Sequence, residues 1–225
     1  MRIHDRHPTT SETADTQELQ RNLQRSFRRR VFAILEAAYG KLDFMSHQGS
    51  DEDTITQRLQ EGAEEFVTAS DAPSWAVHFD VVDQRKDNSS GAIGKERPIL
   101  DLVFTRVLRG HRPRFTFEAK RLYGNSGAGK YLGMEGLGAY LDGTYRQDDD
   151  EAGMLGYVQS DTPANWAAKI EHEMTASAES LAVCPGGAWQ AVFLAPGLQF
   201  SYRSRHEGPA VGAPITMYHV LLAFC

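Results

Sequence analysis

The sequence predicts an α/β protein: one mixed β-sheet flanked by helices, with a helical segment at the N-terminus. Three observations support this prediction. Apolar residues first recur at helical spacing, β-branched and aromatic runs of strand length follow, and the C-terminal half mixes both patterns. The length of 225 residues, with 41% hydrophobic and 24% charged residues, suits one core that needs no disulfide or metal support.

Two helices are predicted in the first third of the chain. Leu19, Leu23, Phe27 and Val31 recur at helical spacing, which predicts a helix over 17–38. Ser50 or Asp51 can cap a second helix that ends near residue 68. The predicted organisation is a flexible leader over 1–15, N-terminal helices that pack on the core over 16–70, and an α/β core over 71–225.

Strand patterns dominate the middle of the chain. Strands are predicted over 75–82, 99–108 and 114–122, and the last two form a hairpin about the turn at 109–113. Seven glycines lie between 124 and 143, which predicts a loop and then a helix packed closely on the sheet. The remaining predicted elements are strands over 154–159, 188–194, 199–204 and 215–224 and a helix over 162–178.

Composition excludes several classes of protein. Two cysteines, Cys184 and Cys225, cannot form a disulfide framework, and the N-terminus lacks an apolar signal segment, so we expect a cytoplasmic protein. The most apolar segment, 210–225, has 16 residues and is interrupted by Pro214. It is too short to cross a bilayer, and we expect no membrane anchor.

Charge is unevenly distributed along the chain. The net charge is −6, yet residues 85–130 contain eleven Lys and Arg against four Asp and Glu, a local charge of +7. A basic segment in an acidic protein is typical of a surface that binds a polyanion such as nucleic acid. A basic solvated loop is the alternative that composition leaves open.

Three chemically suitable side chains are brought together by the predicted hairpin. Side chains alternate along a strand, so Glu118 and Lys120 share a face. A turn about residues 110 and 111 places Asp101 opposite Ala119 or Lys120 on the neighbouring strand. Two carboxylates can bind a divalent cation, and a lysine beside them can orient an attacking water. An isolated Glu-x-Lys is, however, more often an ordinary salt bridge.

The spacing of these residues is similar to that of a known catalytic motif. Pro98-Ile-Leu-Asp101, sixteen intervening residues and Glu118-Ala-Lys120 resemble the PD-(D/E)xK nucleases, which have the restriction-endonuclease-like fold. Two residues separate the proline from the aspartate here, where the family motif has them adjacent. The resemblance implies that Asp101, Glu118 and Lys120 are catalytic, and we expect Lys120 to act as the base that orients the attacking water.

A preceding helix in this family often supplies a glutamate within a Glu-acid-x-Ile-Thr stretch, which 52–56 resembles. The implied metal ligands are therefore Glu52, Asp101 and Glu118, which would bind Mg²⁺ or substitute Mn²⁺. Nearby acids could replace Glu52 in this role: Asp51, Asp53, Glu61, Glu64 and Glu65.

The resemblance extends to shorter motifs over residues 50–225. Several short motifs resemble nuclease-like proteins of bacterial anti-phage defence and restriction systems. They lie at 131–140, 143–145 and 153–157 and in the C-terminal tail. We expect a metal-dependent nuclease acting on nucleic acid, DNA in preference to RNA. The residues expected to contact substrate phosphates are Arg121, Lys130, His206 and His219.

No sequence-reading module can be recognised in the chain, so specificity would come from a partner, from nucleic-acid structure or from a homo-oligomer. We expect the protein to be one component of a defence system and to work beside a helicase or other ATPase. One alternative is a nuclease fold that has lost activity and acts as a binding or assembly subunit.

A second alternative is a nucleotide-binding protein. Residues 124–130 match the pattern GxxxxGK between a predicted strand and a predicted helix, which is the context of a phosphate-binding loop. Tyr131 stands where Ser or Thr would normally bind Mg²⁺, which weighs against this function.

Overall fold

A computed structural model describes residues 10–86, 99–107, 112–145, 150–208 and 214–225. The α-helices in these ranges are α1 (Thr10–Tyr39), α2 (Glu52–Thr68), α3 (Gly127–Leu132), α4 (Leu137–Leu141) and α5 (Pro163–Ala176). The strands are β1 (Phe79–Lys86), β2 (Ile99–Arg106), β3 (Arg114–Leu122), β4 (Glu151–Val158), β5 (Gln190–Ala191), β6 (Ser201–Glu207) and β7 (Pro214–Ala223). Short 3-10 turns precede α2 and β1.

The strands form one mixed sheet in the order β1-β2-β3-β4-β7-β6-β5. The central β3, β4 and β7 run parallel, and the strands on either side pair antiparallel. The α3–α4 segment connects the parallel strands β3 and β4, as a parallel pair requires a crossover connection. The predicted α/β architecture, with a mixed sheet, flanking helices and an N-terminal helix, is confirmed.

Helices cover both faces of the sheet. Buried residues of α1 and α2 form one hydrophobic cluster with Phe115, Phe117 and Ala119 of β3. The second cluster joins α3, α4 and α5 to the opposite face, where Trp166 and Met154 are fully buried. The molecule therefore has three layers, and β3 is one of the three central strands of the middle layer.

Helix α1 is longer than its sequence pattern predicts. It begins at Thr10, so residues 10–15, which we expected in a flexible leader, are helical, while residues 1–9 lie outside the described part. Phe27, Val31 and Leu35 are buried against the sheet. The helix preceding Phe27 has no buried stripe among its described side chains, which is why apolar periodicity did not reveal its start.

Helix α2 begins where the sequence predicted. The Asp51 carboxylate accepts the N–H of Thr54 at 2.7 Å and caps the helix. Ile55, Leu59 and Ala63 pack beneath the sheet, and a Cβ at Gly62 would lie 3.2 Å from the backbone of Ala38. This close contact with α1 fixes the position of α2, and hence of Glu52 in its first turn.

Several strand boundaries differ from the prediction. The predicted strand 75–82 begins only at Phe79, because Trp75 precedes a 3-10 turn and packs against the Phe79 ring. The strand predicted over 188–194 contains only Gln190–Ala191. Strand β3 has the predicted bounds. Leu108 of the predicted strand 99–108 and residues 109–111 of the predicted turn lie outside the described residues.

Candidate functional site

The β2–β3 hairpin brings Asp101 to Glu118. Leu102 pairs with Phe117 in the antiparallel ladder, so Asp101 faces Glu118, one residue from the position expected from the turn. Asp101 Oδ2 accepts the backbone N–H of Ala119 at 2.7 Å. This hydrogen bond holds the carboxylate over β3, between the two residues of the Glu-x-Lys motif.

Lys120 makes three short contacts at the centre of the site. Its Nζ donates to Glu118 Oε1 at 2.8 Å, to Glu52 Oε1 at 3.0 Å and to the backbone oxygen of Ala119 at 2.7 Å. The Lys120 and Glu118 side chains are only 14% and 5% exposed. The ammonium therefore joins two carboxylates with little solvent screening.

Glu52 is the helical glutamate that reaches the hairpin. Its Oε2 accepts the backbone N–H of Arg121 at 3.0 Å, while its Oε1 accepts from Lys120. The first turn of α2 is thereby fastened to the end of β3. The competing acids have other surroundings: Asp51 caps α2, Asp53 and Glu64 are exposed, Glu61 pairs with Arg58, and Glu65 pairs with Lys41.

Burial raises the pKa values of two carboxyl groups. Burial of Glu118, followed by the charge of Asp101, raises the pKa of Glu118 to about 8. Burial raises the pKa of Asp101 to about 6, although its hydrogen bond from Ala119 and the charge of Lys120 oppose the change. Two neighbouring acids with pKa values near neutrality are characteristic of functional sites.

The ammonium of Lys120 is stabilised by the same contacts. Burial lowers the pKa of Lys120, but the nearby carboxylates of Glu118 and Glu52 outweigh burial and raise it above the ordinary lysine value. Lys120 is therefore positively charged at neutral pH. In this arrangement it donates hydrogen bonds and cannot accept a proton.

Tyr145 is a member of the site that the sequence reasoning missed. Its hydroxyl lies 2.8 Å from Glu118 Oε2 and 3.1 Å from the backbone oxygen of Ile99. Tyr145 is buried and its ring packs against Tyr140 at 5.1 Å. The segment 143–145 was noted only as part of a family resemblance, and nothing in its local pattern points to Glu118.

The expected arrangement of three carboxylates around one ion is not preformed. Among the residues that the structure describes, no group of three or more His, Cys, Asp and Glu side chains is arranged to hold a metal ion. The reason is the position of Lys120, whose ammonium lies between Glu52 and Glu118, while Asp101 is bonded to the backbone of Ala119. Oxygen ligands are present, but they are shared with an internal cation.

Two of the four residues expected to bind substrate phosphates are accessible. Lys130 is exposed in α3. The Arg121 guanidinium is partly exposed, lies 4.7 Å from the Tyr123 ring centroid and is 3.5 Å from the backbone oxygen of Ser50. Arg121 follows Lys120 in β3, so it borders the site directly.

The other two, His206 and His219, have 0% exposure, so neither imidazole is accessible to a substrate phosphate. The hydroxyl of Ser204 lies between them, 2.7 Å from His206 Nε2 and 2.8 Å from His219 Nε2. Burial lowers the pKa of both histidines. The two side chains are therefore part of the core of the protein and are excluded from the phosphate-binding surface.

The hydrogen bonds around these histidines form a chain with one direction. His206 Nδ1 donates to the Leu181 backbone oxygen, 2.7 Å away, because a carbonyl can only accept. Nε2 of a neutral His206 then accepts the hydroxyl hydrogen of Ser204. The Ser204 oxygen in turn accepts the N–H of His219 Nε2. The hydroxyl of Tyr131 donates to His219 Nδ1 at 3.0 Å. Every polar atom in the chain is satisfied with both rings neutral.

The basic segment 85–130 is only partly described. Side chains are described for Arg106, Arg112, Arg114, Lys120, Arg121 and Lys130, whereas those of Arg85, Lys86, Lys95, Arg97 and Arg109 lie outside the described residues. Arg112 and Lys130 are exposed. Lys120 is bonded to acids, so the accessible positive charge of the described part is smaller than the sequence count implies.

The glycine-rich segment 124–130 has a packing explanation. A Cβ at Gly127 would lie 2.7 Å from the Trp166 ring, so only glycine lets α3 approach α5 this closely. Helix α3 has six residues and no side-chain cap. Packing therefore accounts for Gly127 without a bound nucleotide.

Comparison of the chain with protein-family models, with curated proteins and with solved structures returns no match. Within the part of the chain that the structure describes, no helix is both long and apolar enough to cross a membrane.

Proposed function

We propose that the protein is a metal-dependent nuclease that hydrolyses phosphodiester bonds, with DNA as the favoured substrate. One observation carries this proposal. Asp101 from β2, Glu118 and Lys120 from β3 and Glu52 from α2 meet at one site, although they are distant in sequence. The same four residues form the motif that resembles the PD-(D/E)xK nucleases, and we infer a restriction-endonuclease-like core from this coincidence.

The donor set fits a divalent cation. Carboxylate oxygens are the ligands that Mg²⁺ prefers, and Glu52 and Glu118 already bind one cation, the ammonium of Lys120. Repulsion between Asp101 and Glu118 contributes to the raised pKa of Glu118, and a bound cation relieves such repulsion. Glu52, Asp101 and Glu118 would hold Mg²⁺ or Mn²⁺, which would polarise the phosphate and lower the pKa of a bound water.

The protein's own groups have distinct roles in this proposal. The backbone N–H of Ala119 orients Asp101, and the hydroxyl of Tyr145 orients Glu118. Lys120 remains charged, so it serves to orient water and to stabilise negative charge that develops on the phosphate. This replaces the sequence-based interpretation of Lys120 as a base.

Nucleic-acid contacts near the site would come from Arg121 and Lys130. Both are accessible, and guanidinium and ammonium groups bind phosphate oxygens. A role in a cytoplasmic anti-phage defence or restriction system, beside a helicase or other ATPase, rests on the resemblance of the sequence motifs alone.

The test is cleavage of supercoiled and linear duplex DNA, single-stranded DNA and RNA with Mg²⁺, Mn²⁺ or EDTA. The proposal predicts metal-dependent cleavage that is lost in Lys120→Ala and Asp101→Asn and kept in Lys169→Ala. Lys169 is a suitable control because its side chain is half-exposed and forms an ion pair with Asp161. It lies in α5, on the opposite face of the sheet from α2. Circular dichroism of each variant verifies folding.

Other outcomes would contradict the proposal. Cleavage unchanged in Lys120→Ala and Asp101→Asn would remove these residues from the mechanism. Binding of nucleic acid without cleavage would favour an inactive nuclease fold that acts as a binding or assembly subunit. A rise in melting temperature with ATP or GTP would favour nucleotide binding at 124–130.

A further inference from the structure

Helix α1 presents a row of arginines to solvent on the side away from the core. Arg21, Arg25 and Arg29 follow one another at intervals of four residues, so they lie on one face of the helix. All three are exposed, whereas Phe27 and Val31 of the same helix are buried. We call these three residues the arginine ridge; it is about 12 Å long at 1.5 Å per residue.

The other two arginines of this stretch are engaged by the protein itself. Arg28 forms an ion pair with Glu151 and lies 5.0 Å from the Tyr218 ring, and Arg30 lies 5.4 Å from the Trp75 ring. Within the described residues the ridge makes neither kind of contact. Arg28 and Arg30 hold α1 against the sheet and against the segment before β1, so the ridge is the part of the basic stretch that remains for a partner.

The ridge forms no ion pair among the described residues: none of their side chains pairs with Arg21, Arg25 or Arg29. The nearest acid along the described helix is the exposed Glu18, three residues before Arg21. Asp150, which precedes β4, is bonded to Gln24. Three unpaired guanidinium groups in a protein of net charge −6 form a local positive surface.

The ridge is remote from the carboxylate site. Arg28, within α1, contacts Glu151 at the start of β4, whereas Lys120 is level with Gly156 in the β3–β4 pairing. Five residues of strand separate these two levels, about 16 Å along the sheet. A ligand held by the ridge would therefore not occupy the site itself.

We propose that the arginine ridge binds the phosphate backbone of duplex DNA and extends the footprint of the protein beyond its carboxylate site. The proposal rests on the proposed nuclease function, because a nuclease must bind nucleic acid, which is a polyanion. Successive arginines are about 6 Å apart along the helix, close to twice the 3.4 Å axial spacing of charges along one DNA strand. The three guanidinium groups can therefore meet alternate phosphates of one backbone. Each contact releases counterions.

The arrangement of α1 favours DNA over an anionic membrane. An interfacial helix inserts an apolar face into the lipid. The apolar face of α1 from Phe27 onward is buried against the sheet, and only Leu19 and Leu23 of that stripe are exposed. A surface that binds through charge alone suits a phosphate backbone.

The test measures DNA affinity against salt concentration in EDTA, where metal-dependent cleavage cannot occur. The ridge variant replaces Arg21, Arg25 and Arg29 with Gln, which has a similar helix propensity. The control replaces Lys41, Arg58 and Lys169 with Gln; these cations already pair with acids, and the change in net charge is identical. Fluorescence anisotropy with a 30-base-pair duplex between 50 and 300 mM KCl gives the slope of log K against log [KCl].

The proposal predicts a slope about 2.7 smaller in the ridge variant than in the wild type, at about 0.9 per lost phosphate contact. The control should retain the wild-type slope. Equal slopes in the ridge variant and the wild type, an equal loss in the control, or no DNA binding by the wild type would each overturn the proposal. Ridge-dependent binding to phosphatidylserine vesicles with unchanged DNA binding would overturn it in favour of a membrane. Cleavage of the same duplex with Mg²⁺ by wild type and Lys120→Ala tests the carboxylate site separately.

Discussion

The substitution Glu118→Gln tests the electrostatics of the site through stability alone. Glu118 is 4% exposed, and its carboxyl oxygens contact Lys120 and Tyr145. A glutamine can keep both contacts, since its oxygen accepts from Lys120 and its amide donates to the Tyr145 hydroxyl. The variant therefore removes a titrating group while preserving the shape of the site.

The expected effect follows from the pKa of Glu118, which is about 8 in the folded protein and 4.5 ordinarily. Between these two values the unfolded chain loses the proton and the folded protein keeps it, so the free energy of unfolding falls as pH rises. The stabilisation is fully present below pH 4.5 and is lost as pH rises through 8. The limit is about 1.4 kcal/mol per pH unit, or roughly 2 kcal/mol between pH 6.5 and 8.

The measurement is urea denaturation in EDTA at several pH values from 6.5 to 8. Asp101, with a pKa of about 6, has largely titrated below this range. The wild-type midpoint should fall by up to about 1 M urea relative to Glu118→Gln for an m value of about 2–3 kcal/mol/M. Glu64→Gln, an exposed position on α2, should behave as the wild type does. The reasoning is refuted by a pH dependence that is identical in wild type and Glu118→Gln.

Two further predictions concern packing and buried polar groups. Gly127→Ala places a methyl group 2.7 Å from the Trp166 ring and should destabilise the fold by about 1–3 kcal/mol. In the control Gly129→Ala, in the same helix, the new methyl group meets nothing closer than 3.7 Å. This variant should be neutral or stabilising by up to about 1 kcal/mol. Melting temperatures in the opposite order would contradict this account of α3. Ser204→Ala leaves the Nε2 atoms of two buried histidines without their hydroxyl partner and should cost about 1–3 kcal/mol for each. A urea midpoint equal to that of the wild type would exclude the proposed hydrogen-bond chain.

The architecture was predictable because each layer has a clear period. The stripe of α2 buries one face of that helix, whereas β3 is buried on both faces, and the bounds of both elements agree closely with the prediction. The start of α1 was not predictable in this way, since Leu19 and Leu23 are exposed and the helix continues to Thr10. Periodicity identifies helices that bury a face and misses those parts that do not.

The candidate site was predictable as far as the hairpin determines it. Alternation puts Glu118 and Lys120 on one face, and pairing brings Asp101 opposite, one residue from the expected register. The position of Glu52 depends on how α2 packs on the sheet. Local spacing carries no information about that packing, and only the family resemblance pointed to Glu52.

Two features of the site depend on contacts between distant segments. Tyr145 reaches Glu118 from the segment that follows α4, and no local pattern encodes that approach. His206 and His219 lie on neighbouring strands β6 and β7, and their side chains face the core beneath α3. Their chemistry suggested phosphate binding, whereas burial assigns them to the interior hydrogen-bond chain.

The most direct test of the central claim is the binding of Mn²⁺ to the protein without nucleic acid. Titration calorimetry should show Mn²⁺ bound by the wild type, competed by Mg²⁺, and lost in Asp101→Asn. Asp53→Asn, an exposed neighbour of Glu52 in the first turn of α2, should bind as the wild type does. Wild-type protein that binds no Mn²⁺, or Asp101→Asn that binds it with unchanged affinity, would contradict the claim that these carboxylates form a metal site.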